Sequence, residues 1–204
     1  MNETILIIAN GPSILKNKFG YEIDKFDEVA RINNYKTDNF SEYIGKKTTI
    51  WLNGTNKNLK CHKNPPKKIF VFVPYEILEK KEARVLERTP KRLKLKPNQY
   101  TLLDKEKMKY YEKISMIKRP TTGFNSILWA IENYKKVIIH GFDFFQDSKE
   151  HYYDSYISKK IANLKIMKKA EKHDNIAEKE FVENLLLNKK IIKLSSYIKD
   201  INHD

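Results

Sequence analysis

The chain has 204 residues, of which 40% are hydrophobic and 12% aromatic, and this is enough apolar material for one core. Its 40 Lys and Arg outnumber 26 Asp and Glu, which gives a net charge of +14 and indicates a polyanionic partner. There is no apolar run long enough to span a membrane, no basic leader and only one cysteine, Cys61, which excludes an internal disulfide. We therefore expect a cytoplasmic protein. Because only five basic residues are Arg, we favour solvated surface over nucleic-acid binding.

Six short apolar runs bounded by turn residues predict the strands of a buried, parallel sheet. They cover residues 5–9, 28–32, 49–52, 69–73, 137–140 and 191–194. Helical periodicity at 122–133 and 177–187 lies between them, so strands and helices alternate along the chain. The pattern predicts an α/β fold, a single Rossmann-like domain over residues 1–204 with a mainly parallel central sheet flanked by helices.

Two stretches depart from this alternation. Residues 79–115 are rich in Lys and contain Pro90 and Pro97, which predicts helices and loops that cover the sheet edge. Residues 147–174 are polar and contain three tyrosines, which is typical of a lid over a binding site.

The first candidate site follows the first predicted strand, which stops in Asn10, Gly11, Pro12 and Ser13. Ligands of open α/β sheets bind beyond the carboxyl ends of the strands. Gly11 permits close backbone approach, and the Asn10 amide offers a donor and an acceptor, so a nucleotide would fit. A plain strand-to-helix turn explains these residues equally well. The lack of a G-x-G-x-x-G motif and of a Walker lysine argues against NAD and ATP.

Asn33 and Asn53 each come just after an apolar strand, so we expect them to converge with Asn10 on one edge of the sheet. Three neutral amides suit a ribose or a pyrimidine better than a phosphate. Each of these asparagines taken alone is more often a turn former than a ligand.

A third candidate site opens the helix predicted at 122–133. Thr121 or Thr122 would cap this helix, and its free N–H groups together with Gly123 would form an anion site without any metal. A purely structural cap also accounts for the Thr-Gly pair. The next strand ends in another polar segment, which brings Asp143 to the same edge.

Two histidines complete the set of candidates. His151 precedes Tyr152 and Tyr153, and His173 stands five positions before Glu178 at the front of a predicted helix. A histidine, with an ordinary pKa of about 6.5, can accept a proton from a sugar hydroxyl at neutral pH. Either histidine taken singly is better explained as a surface residue.

In this order the segments resemble the motifs of the sialyltransferases, glycosyltransferase family 29, over residues 5–187. Residues 10–13, 22–24, 27, 31–33 and 45–48 resemble the large motif of that family, and residues 119–123 and 141–143 resemble its small motif. Residues 151–154 match the third motif, and residues 173–178 match the short H-x4-E motif. The layout is also similar to that of the bacterial lipooligosaccharide sialyltransferases of family 42.

The resemblance implies a GT-A variant of the Rossmann-like fold and an inverting transfer of sialic acid from CMP-sialic acid to a hydroxyl of a glycan, such as a bacterial surface glycolipid or polysaccharide. It implies no metal and no cofactor, since the CMP-sugar is a substrate. His173 would be the general base, and Glu178 would orient it or cap its helix. The leaving phosphate would be stabilised by His151, Tyr152 or Tyr153 together with the helix N-terminus. The residues implied in donor binding are Asn10, Gly11, Ser13, Asn33, Asn53, Thr121, Thr122, Gly123, Asp143, Tyr152 and Tyr153. The basic surface would hold the protein at an anionic inner membrane, where lipid-linked acceptors lie.

Two other interpretations stay open. The same fold can use CMP-Kdo or another CMP-sugar, because the cytidine motifs do not contact the rest of the sugar. A non-catalytic nucleotide or nucleic-acid binding module would leave His173 dispensable, and its binding would weaken steeply with salt. A nucleotide-dependent kinase is disfavoured, because the phosphate loop and the metal carboxylates are missing.

Overall fold

The computed structural model of the chain describes residues 2–143, 151–153 and 174–201. Its strands are β1 Asn2–Ile8, β2 Val29–Ile32, β3 Ile50–Asn53, β4 Lys68–Val71, β5 Thr101–Leu102, β6 Tyr134–His140 and β7 Ile192–Lys193. They form one sheet in the order β5-β4-β3-β2-β1-β6-β7, and every neighbouring pair is parallel. The strand order changes direction between β1 and β6, so the crevice beyond their carboxyl ends is where this architecture binds ligands.

Helices cover both faces of the sheet. They are α1 Gly20–Asp24, α2 Ser41–Ile44, α3 Tyr75–Leu93, α4 Lys105–Ser115, α5 Thr122–Asn133, α6 Asn175–Leu187 and α7 Leu194–Ile201, with 3-10 helices at Pro12–Lys16 and Pro97–Gln99. Within the described ranges, none of the helices combines the length and the apolar character that crossing a bilayer requires.

The centre of the sheet is apolar on both faces because β1 is covered twice. Ile5 and Ile7 pack into the larger cluster, together with side chains of α3, α4, α5 and α6. Leu6 and Ile8 point the other way and pack with Ile23 of α1 and with α7. A strand buried on both sides loses the alternation of polar and apolar residues, which is why residues 5–8 read as one continuous apolar run.

The six predicted strands and the two predicted helices are confirmed, with bounds that shift by one to three residues at strand ends. The helix at 122–133 is α5 with the bounds predicted for it, and α6 begins two residues before its predicted start. The covering region at 79–115 contains most of α3 and all of α4, and between them lies β5, which the sequence did not predict. The predicted lid at 147–174 lies outside the described residues, apart from residues 151–153 and 174.

Candidate functional site

A cleft lies at the carboxyl ends of β1 and β6. The predicted site residues that line it are Asn10, Gly11, Asn33, Thr121, Gly123, Asp143, His151 and Glu178. Its other lining residues are Ala9, Pro12, Ile32, Phe124, Gly141, Phe142 and Asn175. The structure therefore brings together residues from six separate segments, as expected for strand ends that meet at one edge of a sheet.

Asp143 holds the turn after β1 in place. Its carboxylate accepts a hydrogen bond from the Ser13 N–H at 2.9 Å and a second one from the Ser13 hydroxyl. The Gly11 N–H donates to the Gly141 carbonyl at 3.0 Å. A Cβ atom on Gly11 would lie 2.4 Å from an Asp143 carboxylate oxygen and 2.7 Å from the Gly141 carbonyl oxygen. Glycine is thus required at position 11 because the two strand ends approach so closely.

The asparagines at the strand ends tie neighbouring loops together. The Asn10 amide is buried and donates to the Ile32 and Asn34 carbonyls, both at 2.9 Å. Asn33 has a left-handed backbone with φ of 51° and accepts the Gly54 N–H on its Oδ1 at 3.0 Å. These bonds connect the ends of β1, β2 and β3 and fix the floor of the cleft.

Asn53 does not join the two cleft asparagines among the lining residues. It is fully buried, and its Oδ1 accepts from the Thr55 N–H at 3.1 Å. Its Nδ2 is buried and has no hydrogen-bond partner among the described residues. Its assignment to the donor nucleotide stays a prediction.

Thr121 and the buried Glu178 form a polar pair where α5 begins. Thr121 caps α5, as predicted, since its hydroxyl accepts from the Phe124 N–H at 3.2 Å. The two carboxylate oxygens of Glu178 accept from the Thr121 N–H at 2.6 Å and from its hydroxyl at 2.7 Å. Glu178 is only 1% exposed, and this burial raises the pKa of its carboxyl to about 7 although the hydrogen bonds from Thr121 oppose the shift. A carboxyl that titrates near neutral pH therefore lies at a helix N-terminus.

Thr122 and Thr121 face different spaces. Thr121 lines the cleft, whereas Thr122 lines a second cavity on the other side of the 119–123 turn. The two threonines were predicted to act together on one nucleotide, and the structure separates them.

The start of α6 is capped by Asp174 rather than by Glu178. The Asp174 Oδ1 accepts a hydrogen bond from the Ala177 N–H at 3.0 Å. Asn175, the first residue of the helix, lines the cleft. His173 lies outside the described residues, so its role as base stays a prediction. In the described ranges, no three His, Cys, Asp or Glu side chains are grouped so that they could share a metal ion.

Residues 151–153 are anchored to the loops after β1 and β2. The Tyr152 N–H donates to the Asn10 carbonyl at 3.1 Å, and its hydroxyl donates to the Lys36 carbonyl at 2.6 Å. The Tyr153 hydroxyl donates to the Asn34 carbonyl at 2.8 Å. His151 stacks on the Tyr153 ring with centroids 5.3 Å apart and lines the cleft. The two tyrosines thus position this segment, and His151 is its member that reaches the ligand space.

Phe142 and Asn175 also line the cleft and were not singled out from the sequence. Phe142 lies between two residues of the polar strand end, and Asn175 comes two positions after His173. Their positions inside the motifs were the available signal, but neither side chain carries acid–base chemistry.

A family model described as glycosyltransferase family 29 (sialyltransferase) matches residues 3–190. A type 2 lactosamine alpha-2,3-sialyltransferase of Rattus norvegicus is 28% identical over 218 residues, which cover 93% of this chain and 64% of that protein. A beta-1,6-galactosyltransferase of Arabidopsis thaliana is 22% identical over 177 residues, covering 72% of this chain and 44% of the plant protein. The chain thus spans less than two thirds of the length of either relative.

Solved structures share the fold. A mammalian sialyltransferase in complex with Gal-beta-1-3GalNAc-ortho-nitrophenol superposes with a TM-score of 0.68 at 18% identity and covers 95% of this chain and 69% of its own. The sialyltransferase CstII from Campylobacter jejuni, in complex with the substrate analogue CMP-3FNeuAc, gives a TM-score of 0.60 at 18% identity, with coverage of 95% and 82%. These likenesses confirm the predicted fold.

Proposed function

The chain belongs to glycosyltransferase family 29, the sialyltransferases, and from that premise we propose that it transfers sialic acid from CMP-sialic acid to a hydroxyl group of a glycan. The observation that carries the proposal is the cleft at the β1–β6 switch point, where Asn10, Asn33, the start of α5 and His151 line one space. Neutral amides and a helix N-terminus are groups that suit a nucleoside monophosphate.

The proposed donor site divides into two parts. The turn after β1 and the Asn33 loop would hold cytidine and ribose through the Asn10 Oδ1 and the Asn33 Nδ2, the atoms of these two amides that the bonds between the loops do not use. The phosphate would lie at the N-terminus of α5, where backbone N–H groups of the first turn have no earlier carbonyl to bind. Gly123 in that turn lines the cleft and lets a ligand approach the backbone.

In the proposed reaction His173 removes the proton of the acceptor hydroxyl while that oxygen bonds to the anomeric carbon. The bond from the anomeric carbon to the phosphate oxygen breaks, and both electrons leave with CMP from the opposite face, so the configuration inverts. The charge on the departing phosphate would be stabilised by the α5 N-terminus and by His151. Metal independence belongs to this proposal, since those two groups would supply the stabilisation.

The acceptor and the cellular location are further parts of the proposal. A bacterial surface glycolipid or polysaccharide would present the hydroxyl, and the net charge of +14 would draw the protein to the inner face of an anionic membrane. Sedimentation with phosphatidylglycerol vesicles and with phosphatidylcholine vesicles tests the membrane part. Equal sedimentation with both would remove it.

The proposed function is tested by CMP release from CMP-sialic acid in EDTA, comparing the native chain with His173→Ala and with His203→Ala as a matched control near the C-terminus. We expect release by the native chain and the control, and a loss of at least a hundredfold in His173→Ala with an unchanged melting temperature. Release that needs an added divalent ion would refute metal independence, and unchanged release in His173→Ala would refute the assigned base.

A second donor deserves a parallel measurement because one relative is a galactosyltransferase. CMP-Kdo and UDP-galactose are therefore supplied separately under the same conditions. Release from one of these alone would replace sialic acid as the transferred sugar. No release from any donor, together with no binding of CMP, would leave a non-catalytic binding module as the better account.

A further inference from the structure

A second cavity of about 290 Å³ lies beside the cleft, at the carboxyl ends of β3 and β4. Six cationic side chains line it: Lys57, Lys81, Arg84, Arg88, Arg92 and Arg119. The described residues that line it include no Asp and no Glu. We call this space the arginine cavity, and its lining makes it a site of positive potential.

The choice of arginine sets this cavity apart from the rest of the surface. The chain has 40 basic residues, only five of which are arginines, and four of those five line the arginine cavity. Lysine would serve equally well for solubility. The planar guanidinium differs in presenting a fork of N–H donors that binds carboxylate and phosphate groups through two parallel hydrogen bonds.

A row of three of these arginines lies along α3. Arg84, Arg88 and Arg92 are spaced four residues apart and so share one face of the helix. Like charges at this spacing repel one another, which lowers helix stability unless an anion lies over them. In the described part of the chain no carboxylate forms a salt bridge with Arg84 or Arg88. The Glu87 carboxylate interacts with both charges at longer range, but its salt bridge is to Lys91. Both arginine side chains are exposed and are positioned to bind a ligand.

The arginine cavity and the cleft share the turn at 119–123 as a wall. Thr121 and Gly123 line the cleft, and Arg119, Pro120 and Thr122 line the arginine cavity. The turn packs closely against the loop after β3, since a Cβ atom on Gly54 would lie 2.6 Å from the Thr122 hydroxyl oxygen. A molecule in the arginine cavity would therefore lie next to the donor.

We infer that the arginine cavity is the acceptor subsite and that it selects an acceptor glycan carrying an anionic group, a carboxylate or a phosphate. This inference rests on the proposed function, because it needs a donor in the neighbouring cleft. The row on α3 binds the anionic group, and this contact places the rest of the glycan against the 119–123 turn. A neutral glycan fills the same space without the ionic contacts.

Calorimetric titration of the native chain with lactose, sialyllactose and lactose 6-phosphate tests the inference. Sialyllactose supplies a carboxylate and lactose 6-phosphate supplies a phosphate, so the better ligand identifies the group. We expect at least one of the two to bind roughly tenfold or more tightly than lactose. Arg84→Gln combined with Arg88→Gln abolishes this preference. The control, Lys91→Gln combined with Lys113→Gln, removes the same charge from exposed sites outside the cavity and keeps it.

Three results would overturn the inference. The first is no preference for either anionic glycan in the native chain, and the second is an equal loss in the lysine control, which would indicate a general charge effect. The third is binding of phosphatidylglycerol vesicles that requires Arg84 and Arg88 while no glycan binds, since the cavity would then face a membrane. CMP is titrated in parallel. If CMP binds and the anionic glycans do not, this inference fails alone. If CMP does not bind, the proposed function fails.

Discussion

Replacement of Glu178 by Gln should flatten the pH dependence of stability. Burial raises the pKa of Glu178 from its ordinary value of 4.5 to about 7. Between these values the unfolded chain has released the proton while the folded chain still holds it, so the folded state becomes less stable as pH rises. One pKa unit corresponds to about 1.4 kcal/mol. The difference between the two pKa values therefore makes the free energy of unfolding roughly 3 kcal/mol larger at acid pH. Glutamine does not titrate and removes this contribution, and its amide can still bond to Thr121.

The assay is urea unfolding of the native chain, Glu178→Gln and Glu180→Gln at pH 5, 6, 7 and 8. Glu180 lies on the same helix and is exposed, so its variant controls for the loss of one negative charge. We expect the free energy of unfolding to fall between pH 5 and pH 8 by about 2 to 3 kcal/mol more in the native chain than in Glu178→Gln. The difference between variants cancels the titration of other groups. Equal pH profiles for the native chain and Glu178→Gln would refute the reasoning.

Three further changes should alter stability in calculable ways. Burial lowers the pKa of His140 to about 4, so the native chain should lose stability as pH falls from about 6.5 towards 4, by about 2 kcal/mol at pH 5. Urea unfolding at about pH 6.5 and at pH 5 measures this loss, which should be smaller in His140→Gln than in the native chain. Arg31→Leu leaves the carbonyls of residues 44, 45 and 47 without the buried guanidinium that donates to them, and this should lower the free energy of unfolding by about 3 kcal/mol. A decrease of less than about 1 kcal/mol, measured by thermal unfolding, would contradict this. Gly141→Ala should destabilise by at least about 1 kcal/mol, because φ is +74° and the new Cβ would lie 2.2 Å from an Ile14 methyl. Gly123→Ala is its control in the same melting experiment, since its nearest contact would be 3.3 Å.

The sheet and the helix cap were predictable because they follow from local patterns. Residues 5–8 form one continuous apolar run, which is the pattern of a strand covered on both faces. Thr121 followed by a helical pattern is a recognisable N-cap, and the structure has its side chain bonded to the Phe124 N–H. β5 was not predicted because a two-residue strand is too short to show a periodic pattern. Its pairing with Phe70 and Val71 becomes visible only at the edge of the assembled sheet.

The contacts within the site were less predictable because they join distant positions. Glu178 and Thr121 are 57 residues apart, and nothing in either segment marks the other as its partner. Ser13 and Asp143 are 130 residues apart and were both expected at the cleft, yet the bond between them is visible only in the fold. The row of Arg84, Arg88 and Arg92 did carry a local signal, a spacing of four. Its meaning depended on α3 facing the 119–123 turn.

The turn at 119–123 explains why charge is distributed as it is around the two cavities. The proposed donor is anionic and so is the acceptor that the arginine cavity would select, and two anions brought together repel one another. Arginines on one side of the turn and the N-terminus of α5 on the other would offset that repulsion. An ionised carboxylate at Glu178 would compete with the donor phosphate for the same helix end. Because burial raises the pKa of Glu178 to about 7, part of the carboxyl is protonated and uncharged at neutral pH, which reduces this competition.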